Sequence, residues 1–231
     1  MQRNELDEEG RALLRAIVEK QAWRQLVAIN MLGHCLKYIP EVETKLHLAG
    51  ELDTNLRLFR ELRALYSDLG WTDIESAVRE RMDAVPYPTT RLEYAIGRHL
   101  CELAERTAMH AYLESASRPF AAVARSYLEQ SSPREEIELC GFVEYCAEAP
   151  NRPHAQQLFA RWLAVALRSF GRPGSRGDAR AVALGLRDRS NEQMVRDYLK
   201  ALDPLVRRCG LYLPNADALG LVLPAPAAVH A

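Results

Sequence analysis

The sequence predicts an all-α protein built on a long four-helix bundle with additional C-terminal helices. Two observations carry the prediction. Apolar residues recur at helical spacing over segments of twenty residues and more, and alternating β-branched runs are absent. The Pro and Gly residues fall between those segments, where a helix is expected to stop.

The elements follow in order. A first helix is expected from about Glu5 to Tyr38, with Leu13, Leu14, Ile17, Trp23, Leu26, Val27, Ile29, Met31 and Leu32 recurring at helical spacing and Pro40 closing it. A second runs from about Glu41 to Leu69, its buried side marked by Leu46, Leu48, Leu52, Leu56, Phe59, Leu62 and Leu65, with Gly70 as its C-terminal stop. A short helix over Ile74–Met82 precedes the turn-prone Pro86-Tyr87-Pro88. The third long helix is expected from Arg91 to Glu114. Pro119 interrupts it, because its ring disfavours helix in the residue before it. Helices then follow over Phe120–Gln130 and, after the break at Ser131-Ser132-Pro133, over Arg134–Ala147. Beyond Pro153 come His154–Phe170, the loop Gly171-Arg172-Pro173-Gly174, a short helix near Asp178–Leu186, and a longer one over Asn191–Cys209 ended by Gly210. One domain over residues 1–220 is expected, with residues 221–231 as a frayed Pro/Ala-rich tail.

Composition excludes several function classes. With 30 Lys+Arg against 31 Asp+Glu, the chain lacks the basic excess of a general nucleic-acid binder, so no nucleic-acid partner is expected. No apolar run approaches the ~20 residues that span a bilayer, and the acidic N-terminus is unlike a secretory signal. A cytoplasmic protein without membrane association is expected. The five cysteines lack paired spacing and read as free, mostly buried thiols rather than zinc ligands.

Nucleotide-binding and hydrolase motifs are absent. A helical bundle can instead hold two metals through Glu-x-x-His pairs, since residues three apart share one helical face. The residues three before His34, His47, His99, His110 and His154 are Met31, Thr44, Ile96, Thr107 and Asn151, so no such pair exists there. Two sets of potential ligands remain. Glu43, His47 and Glu51 share one face of the second helix, and His99, Glu102 and Glu105 share one face of the third. Each is either a remodelled ligand set or a solvated face.

The stretches Phe170–Arg176, Gly185–Glu192, Pro204-Leu205-Val206 and Gly210–Pro214 resemble the C-terminal region of the phenylacetyl-CoA epoxidase subunit family. Residues 46–70 are similar to that family's second bundle helix, and the resemblance spans about Glu19 to Pro214. It implies a ferritin-like bundle. Such families combine a catalytic subunit carrying two irons with a related structural subunit that lacks them. The departures fall on the metal positions. Leu52-Asp53-Thr54-Asn55 stands where Glu-x-x-His is expected, the facing residue of the first helix is Gln21, and Leu139 replaces a histidine. Glu105 and Glu136 are retained as carboxylates; in another register Gln130 and Pro133 occupy that pair.

The resemblance with these departures implies a ferritin-like scaffold or partner protein with an eroded metal site and no cofactor. Its partner would be another copy of itself or a related ferritin-like subunit. The alternative is an active diiron oxygenase acting on an acyl-CoA or other small organic substrate. Glu51, Glu105, Glu136 and His47 or His99 would then hold two irons. A third reading comes from Arg168, Arg172, Arg176, Arg180, Arg187 and Arg189 around the Gly/Pro loop. Guanidinium forks suit phosphates, so Arg172, Arg176, Arg187 and Arg189 are candidates for holding a CoA thioester.

Overall fold

A computed structural model describes residues 6–82, 85–130 and 137–214. Glu136, the Ser131–Pro133 break and the tail from 215 lie outside the described residues. The described residues are helical with connecting turns and contain no strand, as the periodicity predicts. Residues 8–35 form α1 (Glu8–Cys35), which a 3-10 turn over Leu36–Tyr38 extends to two residues short of Pro40. It begins three residues later than expected because Asp7 caps it, accepting from Gly10 N at 2.7 Å. The antiparallel α2 (Val42–Asp68) packs along α1, and α3 (Ile74–Met82) closes over the α1 flank.

α4 (Arg91–His110) is the central helix and touches α1, α5 (Arg118–Gln130), α6 (Ile137–Ala147), α7 (Arg152–Arg168) and α9 (Asn191–Cys209). It stops four residues short of the expected Glu114, in turns that deliver the backbone N–H of Ala116 to Gly185 O. Pro119 and Pro153 each stand at the second residue of their helices rather than ahead of them. A proline there loses nothing, since first-turn N–H groups have no intrahelical acceptor.

The short α8 (Arg176–Ala183) is tied to α9 by one buried carboxylate. Asp178 accepts from Arg187, Asn191 N and Gly174 N, and Arg187 also reaches Asn191 Oδ1. A buried ion this fully hydrogen-bonded fixes the geometry of the whole 171–191 segment. Ser190 and Gln193 form a reciprocal cap at the α9 start, and Gly210 ends that helix at φ 61°.

A cavity walled by buried charge

Along α1 the inward face is unusually polar: Glu19, Gln21, Arg24 and Gln25 are all buried beside Val18, Ala22 and Val27. Buried polar groups are costly unless partnered. Glu19 accepts from Arg15 and Tyr66, Gln21 accepts from Arg24, and Gln25 donates to Glu105; of these, Arg24 and Glu105 line a cavity of about 980 Å³ whose wall is drawn from α1, α2, α4, α5, α6, α7 and α9. Its apolar wall includes Val27, Met31, Leu48, Leu58, Val143 and Leu205.

Two ionic groups face this space. At one, His47 Nε2 lies 3.1 Å from Glu51 Oε1, and Arg98 Nη1 lies 2.6 Å from Glu51 Oε2. Arg98 Nη2 reaches Glu102 at 3.4 Å and Nη1 reaches the Tyr94 hydroxyl at 3.3 Å. Burial opposes the Arg98 charge, but Tyr94, Glu102 and Glu51 outweigh it and hold its pKa above the ordinary value.

The second group lies at Glu105, two turns or about 10 Å along α4 at 1.5 Å per residue. Its Oε1 accepts from Gln25 Nε2 at 2.5 Å, and Tyr127 also bonds it. Arg24 donates to Gln21 Oε1 at 2.7 Å and Ser169 O at 2.6 Å, and its charge acts on Glu105. Burial pushes Glu105 up to about 7, against the opposing pull of Arg24 and the Gln25 bond. The Cys101 thiol beside it is pushed up to about 12 by burial, so it is a thiol and not a thiolate at neutral pH.

The raised carboxyl has a consequence for stability. Below pH ~4.3, the ordinary glutamate value, both folded and unfolded forms carry the proton. Between there and about 7 the unfolded chain ionises first, so Glu105 lowers stability as pH rises. Glu105→Gln, whose amide oxygen still accepts from Gln25, should therefore gain about 1–3 kcal/mol at pH 8. Relative to the parent it should gain nothing at pH 4. Urea denaturation at the two pH values checks this.

The expected ligand residues are distributed as follows. His47 and Glu51 come together; Glu105 stands apart with Gln25; Glu136 lies outside the described residues. Among the described residues no three His, Cys, Asp or Glu side chains form a metal-holding group. The donor set among the described residues does not fit two irons: a guanidinium is wedged between Glu51 and Glu102, a second accompanies Glu105, and Gln21 and Gln25 are neutral amides. The four loop arginines do not converge either. Arg187 is buried on Asp178, Arg189 pairs with Asp197 at 3.1 Å, Arg176 reaches Glu9 at 3.4 Å, and Arg172 is exposed.

Arg24, Gln25 and Arg98 were not among the candidates the sequence yields. A signal existed for each: Gln21, Arg24 and Gln25 interrupt an apolar face, and Arg98 precedes Glu102 by one turn. Compared with protein-family models and with curated proteins, the chain finds no match in either. No helix among the described residues is long and apolar enough to cross a membrane.

Proposed function

We propose that the chain is a non-catalytic binding protein, a ferritin-like scaffold whose interior takes a small, mainly apolar organic molecule instead of metal ions. The observation supporting it is the Arg98 guanidinium, which lies between Glu51 and Glu102 on the wall of the 980 Å³ cavity. A covalently attached cation neutralises those carboxylates at all working pH values, so recruiting a metal would require ejecting it against its ion pairs. Most of the remaining surface of the wall is apolar, with Arg24, Glu105, Arg106 and Arg208 among its polar members, and a space of this size lies in the range of small-molecule sites. Trp23 on the wall supplies a fluorescent reporter.

Two measurements test the reading. Anaerobic loading with ferrous iron should leave less than one tightly held ion per chain; two would overturn the metal-free half of the proposal. Titration with toluene and with medium-chain alcohols should change Trp23 emission and raise the melting temperature, since a ligand binding only the folded state stabilises it. Val143→Trp, which fills the cavity from α6, should abolish that response. A parent protein indifferent to both probes would sink the ligand half.

Pairing with a second copy or a ferritin-like relative is a second reading, favoured by one observation. Val42 and Leu46, one turn apart at the start of α2, are 66% and 63% exposed, so Leu46 stands in solvent and not on the buried side where helical spacing puts it. Large aliphatic side chains left in water together are the mark of a contact surface. Val42→Glu with Leu46→Glu should then shift any dimer seen by light scattering to monomer.

A further inference from the structure

Lys20 lies on α1 one turn before Arg24, and its surroundings are unlike those of an ordinary surface lysine. The chain uses arginine for nearly all its cations: lysine occurs only at positions 20, 37, 45 and 200. Arginine stays charged under all conditions, whereas a desolvated lysine can present a neutral, nucleophilic amine.

The Lys20 amine is tucked against the turn after α7. A Cβ on Gly171, whose φ is +84°, would lie 2.9 Å from Lys20 Nζ and 3.2 Å from Asn191 Nδ2. Glycine at 171 thus both permits the turn and leaves the space that the amine enters. The charged groups acting on the amine come from four elements: Arg24 on α1, Arg81 on α3, Arg187 ahead of α9, and Asp178 on α8. Three are cations. The carboxylate, Asp178, is already taken by Arg187, Asn191 N and Gly174 N. Arg24 and Arg187 are themselves buried, and each keeps an Nε–H without an acceptor among the described residues.

We propose that Lys20 is a carbon dioxide site, at which the amine forms a carbamate stabilised by the surrounding arginines. The neutral Nζ lone pair attacks the carbon of CO2, an N–C bond forms, and one C=O electron pair moves onto oxygen. The amine proton leaves to solvent, and the product is a carbamate anion with no change of oxidation state. The positive field that disfavours an ammonium favours this product, because the charge at the site passes from zero to negative. Burial first, then Arg24, Arg187 and Arg81, lowers the Lys20 pKa to about 8. At pH 7.5 the neutral fraction is then roughly two hundredfold that of a lysine of ordinary pKa near 10.4. CO2 is also small and uncharged, which suits an approach confined by Gly171 and Asn191. The site shares Arg24 with the cavity wall but does not rest on the function proposed for the cavity.

The test is to expose the full chain to CO2, trap carbamates by ethylation with triethyloxonium, and map adducts by mass spectrometry. The adduct should concentrate at Lys20 over Lys37, Lys45 and Lys200, and should rise from pH 7 to pH 8.5 at fixed dissolved CO2. Lys20→Arg, which keeps the charge, should abolish it. Arg81→Gln removes a half-exposed cation of the cluster and should lower the Lys20 yield at pH 7.5 while the fold is kept. Equal yields at the four lysines, no adduct at any of them, or a Lys20 yield unmoved by Arg81→Gln would each overturn the assignment.

Discussion

Arg98→Met should destabilise the protein by about 3 kcal/mol at pH 7, the low end of what breaking a buried ion pair costs. The low end applies because Glu102 retains 27% side-chain exposure and can regain some solvation, whereas Glu51 retains only 10%. Methionine matches the length of the arginine stem, so packing is nearly conserved and the loss is electrostatic. In a domain of this size the melting temperature should fall by roughly 6–12 °C. Adding Glu51→Gln to Arg98→Met should return at least half of the loss, since the neutral amide no longer needs the guanidinium. Divalent manganese should stabilise the single variant and leave the parent unmoved, because a metal cation can neutralise the same two carboxylates. An Arg98→Met protein as stable as the parent would show that the guanidinium does not balance the pair.

That ionic wall also marks where the sequence stopped being readable. Helix positions were legible because period and punctuation agree: α3 and α9 run over the very residues expected, and the ends of α2 shift by one. The misjudged boundaries are local. Pro119 and Pro153 read as breaks, yet a proline also fits the first helical turn, and one sequence cannot say which side of the boundary it takes. The candidate site was only partly legible. His47 and Glu51 were singled out by spacing along one helix, which is a local rule. Their partner Arg98 arrives from a helix forty-seven positions on, and Glu105 meets Gln25 across eighty. Pairings of that kind depend on how helices rotate about their axes when they pack, and no periodicity encodes it. Arg187 shows the reverse error: a cluster of arginines in sequence reads as a surface, but one member is a buried strut on Asp178.

Trp162→Ala should have the largest effect of any single truncation, about 3–5 kcal/mol. The indole is fully buried where α7 crosses α4, and its Nε1 donates to Glu93 Oε1 at 3.1 Å. Burial alone would raise Glu93, but bonds from Thr89 and Trp162 with the charge of Arg161 outweigh it and lower its pKa. Truncation therefore opens a cavity and also removes a donor from a buried carboxylate. The facing residue explains why the helices can come so near. A Cβ placed on Gly97 would lie 2.6 Å from Trp162 Cδ2 and 2.8 Å from Cε2, closer than packed carbons can stand. In an exposed helix Gly→Ala gains about 1 kcal/mol from propensity. At Gly97 the overpacking cost of about 1–3 kcal/mol should exceed that gain, so Gly97→Ala should be destabilising. Trp162→Ala removes the ring atoms nearest the new methyl, so Gly97→Ala should cost less in that background than in the parent, a non-additivity that a double-mutant cycle measures. If Gly97→Ala instead stabilised the protein, propensity would be the deciding term, and the indole could not be seated against α4 as closely as these distances require.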